Sequence, residues 1–200
     1  MTIIAARRYR DGQVVDRNLP PDCAAPARSE FDWIGMVEPT AEEMEQVRAR
    51  YGLHPLAVED ALSQRHAPKA EHYGAQLFVI ARTAAIGEGD KITYGQTSLF
   101  LGEHFLVTVR HGSERPHLGV REQLEAVPER LAEGPDFVLH AVLDFIVDGY
   151  APLLDKLEAV VGEMEDHAVS RFPDHARIRR IFRLRREFRR FEDIAGRMEE

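Results

Sequence analysis

A single cysteine among 200 residues, Cys23, has no partner for an internal disulfide. That suits a reducing cytoplasm, and its place between Pro21 and Pro26 reads as a loop thiol with no chemistry of its own. A basic surplus is also missing: 26 Lys and Arg stand against 34 Asp and Glu, for a net charge of −8. Nucleic-acid partners, which need a basic face, are excluded, whereas metal ions would be attracted. No uninterrupted run of about 18 apolar residues occurs, so no segment is expected to span a bilayer. The opening Met1-Thr2-Ile3-Ile4, followed by Arg7 and Arg8, is too short for a secretory signal.

The motifs of catalysis are missing as well. A nucleotide fold needs a glycine-rich turn from strand to helix, but Gly87-Glu88-Gly89-Asp90 precedes a strand and reads as a hairpin turn. No serine lies in a Gly-x-Ser-x-Gly frame. The 9 histidines include no His-x3-His pair, and the chain has no cysteine pair. One imidazole and one carboxylate, His140 and Asp144, share a helical face and form the best rival metal pair, suited to zinc.

What is present is 44% hydrophobic content, enough for one good core. Up to about Arg110 the pattern is mostly strands: Ile3 to Tyr9, Gln13 to Asp16, Trp33 to Met36, Gln76 to Thr83, Thr93 to Leu101 and Phe105 to Arg110. Helices interrupt this run between Thr40 and Leu62, the first opening on the capping-box spacing Thr40 to Glu43. From Pro116 onward the reading is entirely helical. This order predicts a three-layer α/β/α domain with a mixed β-sheet over residues 1–134, followed by a long antiparallel helical hairpin over 135–200.

In that hairpin Leu143, Val147, Tyr150, Leu154, Leu157, Val161 and Met164 form a heptad seam, and Gly149 with Pro152 predicts a kink. The partner helix offers Ile178, Ile181, Leu184 or Arg185, Phe188 and Phe191, with Pro173 and His175 in or near the turn. Acids on the first helix (Asp155, Glu158, Glu163, Glu165, Asp166) face arginines on the second (Arg177, Arg179, Arg180, Arg183, Arg185, Arg186, Arg189, Arg190). Pairing across the hairpin is the expectation.

The most informative stretch is His54-Pro55-Leu56-Ala57-Val58-Glu59-Asp60-Ala61-Leu62, with Pro68-Lys69-Ala70-Glu71 beyond it. Gly52 ends one helix, Pro55 fits the first turn of the next, and Pro68 stops it. Glu59 and Asp60 therefore sit in the last turns of a short helix, where the backbone dipole disfavours carboxylates by roughly 0.3 to 1 kcal/mol each. A nearby cation would reverse the sign. Solvated surface charge is the other reading, since Asp and Glu are mostly exposed. As sequence neighbours the two side chains point about 100° apart, which speaks against a paired acid and base.

This stretch resembles the signature of the cytosolic domain of CorA-type magnesium and divalent-cation transporters. Trp33-Ile34, Leu101 to Arg110 and Leu143 to Tyr150 match further motifs in the family's order, so that the resemblance covers roughly residues 30 to 190. The family's transporters continue into a stalk helix, two membrane spans and a Gly-Met-Asn pore signature, whereas this chain stops at Glu200. The resemblance implies a regulatory, metal-sensing domain on the cytoplasmic face of the membrane, part of a homopentamer, with Mg2+ (or Co2+) as the ion. It implies metal ligation by Asp60, which would face an acidic residue of a neighbouring subunit's stalk, and a second inter-subunit site at Glu59 and Asp144. Two alternatives stand: a zinc-transporting relative, and an adaptor that assembles through the hairpin without metal.

Overall fold

A computed structural model describes residues 3–20, 23–64, 66–87, 91–112, 118–170 and 175–198. One seven-stranded sheet organises the chain, built from β1 (Ile3–Arg10), β2 (Gln13–Asp16), β3 (Glu30–Val37), β4 (Lys69–Tyr73), β5 (Gln76–Ile86), β6 (Ile92–Gly102) and β7 (Phe105–His111). Its order is β2-β1-β3-β7-β6-β5-β4. Every neighbouring pair is antiparallel except β3 and β7, which run parallel from Asp32 opposite Phe105 to Val37 opposite Arg110. The mixed sheet of the sequence reading is thus correct. The turn between β1 and β2 places Asp11 at φ 48° and Gly12 at φ 75°, as a two-residue hairpin turn demands. At Gly12 glycine is also needed for space, because a Cβ there would stand 1.9 Å from the Pro128 carbonyl oxygen.

Side chains alternate between two cores. Phe31, Trp33, Ala81, Leu99 and Leu106 point to one face, while Ile34, Met36, Phe78, Ile80, Phe100, Val107 and Val109 point to the other. The second face is covered by α1 (Ala41–Tyr51) and α2 (Pro55–Leu62), through Met44, Val47, Ala57, Val58 and Ala61. The first is covered by α3 (Leu118–Glu125), α4 (Pro128–Leu131), α5 (Pro135–Asp148), α6 (Ala151–Ser170) and α7 (His175–Gly196). Three layers result, with both sheet faces buried. Thr40 closes its capping box with Glu43, and Gly52 ends α1 in the left-handed conformation with its N–H on the Arg48 carbonyl.

The expected kink is a full break. Helix α5 ends at Asp148, the Gly149 and Tyr150 amides bond to the Ile146 and Val147 carbonyls, and α6 restarts at Ala151 with Pro152 harmlessly in its first turn. That break re-registers the heptad seam. Val138, Leu139, Val142 and Ile146 pack on the sheet, followed by Tyr150, Leu153 and Leu157, whereas Val147 and Leu154 of the expected seam are exposed. The helices of the hairpin run antiparallel, since Tyr150 meets Phe191 edge-on at 5.4 Å while Met164 and Ile181 line a common groove. Of the α7 residues, Leu184 and Phe191 are buried, Arg185 is exposed, and Ile178 and Ile181 face outward. The turn at Pro173 lies outside the described residues.

The stretch Pro135–Asp166 does reach the length and apolar composition of a membrane span, with a mean hydropathy of 1.6 over an 18-residue window. This corrects the expectation that no such segment exists, which counted uninterrupted apolar runs. The stretch is broken at Gly149 and packs one apolar stripe on the sheet and on α7, with 28% of that window buried.

Candidate functional site

The site is built where α2 ends against the edge strand β4. Pro55 starts α2, the Ser63 amide bonds to the Glu59 and Asp60 carbonyls at its end, and Ala57, Val58 and Ala61 pin the helix to the sheet. The acidic pair is thereby held at the rim. Glu59 is exposed and makes no side-chain bond to a described residue, whereas Asp60 is drawn inward. Lys69, the first residue of β4, donates from Nζ to Asp60 Oδ2 at 2.6 Å and to Glu71 Oε2 at 2.9 Å. His66 Nε2 lies 3.2 Å from the second Asp60 oxygen, and the Tyr73 hydroxyl donates to Glu71 at 2.7 Å.

Strand β4 makes this possible through its alternation. Lys69, Glu71 and Tyr73 point toward α2 and are half-buried, while Ala70 and His72 point away and are exposed. Burial works against the Lys69 charge, yet its bonds to Asp60 and Glu71 prevail and raise its pKa. Glu71 is held below the ordinary carboxylate value by the Lys69 bond first and by Tyr73 second. The dipole argument asked for a cation near Glu59 and Asp60, and the chain supplies its own.

Asp144 lies elsewhere. It is exposed on α5, in the layer on the opposite side of the sheet from α2, so that the structure brings Glu59 and Asp60 together but not Asp144 with them. His140 is likewise exposed on α5. Among the described residues no three His, Cys, Asp or Glu side chains converge as a metal centre. A cleft of about 640 Å³ at one end of the sheet gathers Asp11, Glu30, His72, His104 and Glu133 along its walls without such convergence.

Two charged clusters escaped the sequence reading. Asp32, fully buried, accepts from Arg8 Nε at 2.7 Å, from Arg50 Nη2 at 2.9 Å and from the Tyr51 hydroxyl at 2.9 Å, while Arg50 also donates to Cys23 Sγ. Its bond to Asp32 raises the Arg8 pKa. Burial, with Asp32 adding to it, pushes the Tyr51 phenol up. At the far ends of the parallel strands, Glu38 accepts from the Gly112 amide at 2.7 Å and meets His111 Nδ1 at 2.8 Å. Both clusters tie the N-terminal strands to their neighbours.

The family model for CorA-like Mg2+ transporter proteins matches residues 28–200. The chain belongs to that family. Bacillus subtilis YfjQ, named as a candidate metal ion transporter, is 30% identical over 151 residues, covering 75% of this chain and 46% of YfjQ. The chain therefore spans under half the length of that relative. Among solved structures, the complete CorA magnesium transporter of Methanocaldococcus jannaschii aligns with a TM-score of 0.75 at 19% identity, covering 99% of this chain and 61% of that one. The soluble domain of the same organism's CorA gives 0.70 at 23%, covering 92% and 72%. At these identities the structures show the fold, the three-layer arrangement expected from the CorA-like resemblance.

Proposed function

We propose that this chain is the cytosolic regulatory domain of a CorA-type divalent-cation transporter, with Mg2+ as the first choice of ion over Co2+. In this reading residues 1–134 form the sensing domain, 135–200 form the helical extension that carries Asp144, and a membrane is reached only through a further C-terminal region. One observation carries the sensing role: the candidate carboxylates lie in opposite layers of one chain, Glu59 and Asp60 on α2 and Asp144 on α5. An ion bridging the two sets needs two copies, one offering each face, as a closed ring such as a pentamer provides. Only carboxylate oxygens take part, and magnesium is commonly held by one or two of these while keeping its waters. Zinc, which favours imidazole and thiolate, is the second reading.

The gating logic is electrostatic. Acidic copies repel one another, and a cation between Asp60 and a facing carboxylate offsets the repulsion and keeps the pore closed. Lys69 sets the threshold of this switch, because its ammonium already occupies one side of Asp60. The test replaces Glu59, Asp60 and Asp144 by Ala in the full-length transporter and follows protease protection across a millimolar Mg2+ series. The midpoint is expected to move; an unchanged midpoint leaves these three as solvated surface charges. Assembly that ignores both Mg2+ and the triple substitution would favour the metal-independent adaptor.

A further inference from the structure

The arginines of α7 were expected to pair with the acids of α6, and most do not. Asp166, Arg177 and Arg180 are engaged. Arg179, Arg183, Arg185, Arg186 and Arg189 are all exposed and make no hydrogen bond or ion pair among the described residues, and the same holds for Asp155, Glu158, Glu163 and Glu165 of α6. Five unpaired arginines on one helix of a chain with net charge −8 form a local reversal of sign.

Among them lies exposed hydrocarbon. Ile178, Ile181 and Phe182, at i, i+3 and i+4, share one face and are 38%, 45% and 63% exposed. The buried face of α7, with Leu184, Glu187 and Phe191, is a different one. At about 100° per residue, Ile178 and Phe182 lie between a flank of Arg179, Arg183 and Arg186 and a groove of about 380 Å³ that Val161, Met164, Ile181, Leu184 and Phe188 line against α6. Glu165 of α6 and Arg185 of α7 also line that groove, which lies on the side of α7 away from Arg179, Arg183 and Arg186.

We propose that the N-terminal half of α7 docks on an anionic lipid surface. An apolar stripe bordered by cations on an exposed helix is the arrangement that lies in a bilayer interface, with aromatic and aliphatic side chains between the headgroups and arginines reaching phosphates. Charge complementarity selects anionic over neutral lipid, and membership of a transporter family places a bilayer within reach of the domain. A second copy of the chain fits less well, because among the described side chains of α6 the unpaired acids come with one exposed large apolar residue, Leu154. This inference is independent of the ion-sensing reading.

The test is co-sedimentation of the 200-residue chain, in EDTA, with phosphatidylcholine vesicles and with vesicles in which about a third of the lipid is phosphatidylglycerol. Binding to the anionic vesicles alone is expected, weakening as salt is added. Arg183→Gln and Arg186→Gln should each lower the partition coefficient about fivefold, and Phe182→Ser about tenfold. All three positions are exposed, so circular dichroism melts should match the parent. Equal binding to both vesicle types, or variants that bind as the parent does, overturns the proposal. So does self-association without lipid that Arg183→Glu abolishes, which would assign the face to a second copy.

Discussion

The Lys69 ammonium stands 2.6 Å from Oδ2 of Asp60, so that this carboxylate at the end of α2 is paired from within its own chain. Any divalent ion that uses Asp60 must share it with this lysine or displace it. Lys69→Met should therefore raise the Mg2+ affinity of the site by roughly fivefold, the equivalent of a partly exposed ion pair of about 1 kcal/mol. A Mg2+ titration of thermal stability, parent against variant, checks this. A lower affinity in the variant would show that Lys69 organises the site and does not compete in it.

The same cluster dictates a pH dependence. Glu71 titrates below its ordinary value of 4.5 because Lys69 and Tyr73 bond to its ionised form. Its folded pKa is depressed, so the stability it lends is complete above about pH 4.5 and disappears as pH falls through the lowered value. Lys69 is raised, so its share is present below its ordinary value of 10.5 and is lost as pH rises through the folded value. Between those limits the pair should leave stability flat. Thermal melts from pH 7 to 3 should show a shallower acid loss in Glu71→Gln than in the parent.

Leu157 and Leu154 separate two registers of the helical hairpin. Leu157 is fully buried whereas Leu154 is 42% exposed. Leu157→Asp should cost about 4 kcal/mol, the penalty for a charge among apolar side chains, and Leu154→Asp no more than about 0.5 kcal/mol. Urea unfolding of both variants decides. Equal costs would restore the seam expected from heptad spacing.

Asp32 holds two guanidiniums at its carboxylate, and neither Arg8 nor Arg50 is more than slightly exposed. Asp32→Asn should destabilise the chain by about 3 kcal/mol, since it leaves Arg50 buried without its carboxylate and Arg8 with only Glu30 at 3.9 Å. Replacing Asp32, Arg8 and Arg50 together by apolar residues of similar volume should cost less than the single change, as measured by chemical denaturation.

Alternation and capping made six strands and the helical half legible, because those signals are local. The strand at Lys69–Tyr73 was missed: its inward positions carry Lys, Glu and Tyr, which read as polar until the carboxylate of α2 is set beside them. Asp32 was missed for a related reason. The strand expected from Trp33 to Met36 leaves it out, whereas β3 begins at Glu30 and both of its faces are covered. The seam of the hairpin failed at Val147 and Leu154 because the break at Gly149 and Tyr150 shifts the phase that a continuous heptad assumes. Glu59 and Asp60 were visible as a motif, while Lys69 and His66, which pair with Asp60, come beside it only through the reversal of the chain after α2.

The one parallel pairing, β3 with β7, divides the sheet into two locally connected halves. Strands β4, β5, β6 and β7 form a meander, and β1 pairs with β2 across a tight turn and with β3 after the connection at 17–29, while the partners of the parallel pair have five elements between them in the chain. Closing that long loop carries the largest entropic cost of any strand pairing here. The halves are thus expected to form first and the seam to zip last, with Asp32 opposite Phe105 at one end and the Glu38 bonds to His111 and Gly112 fastening the other.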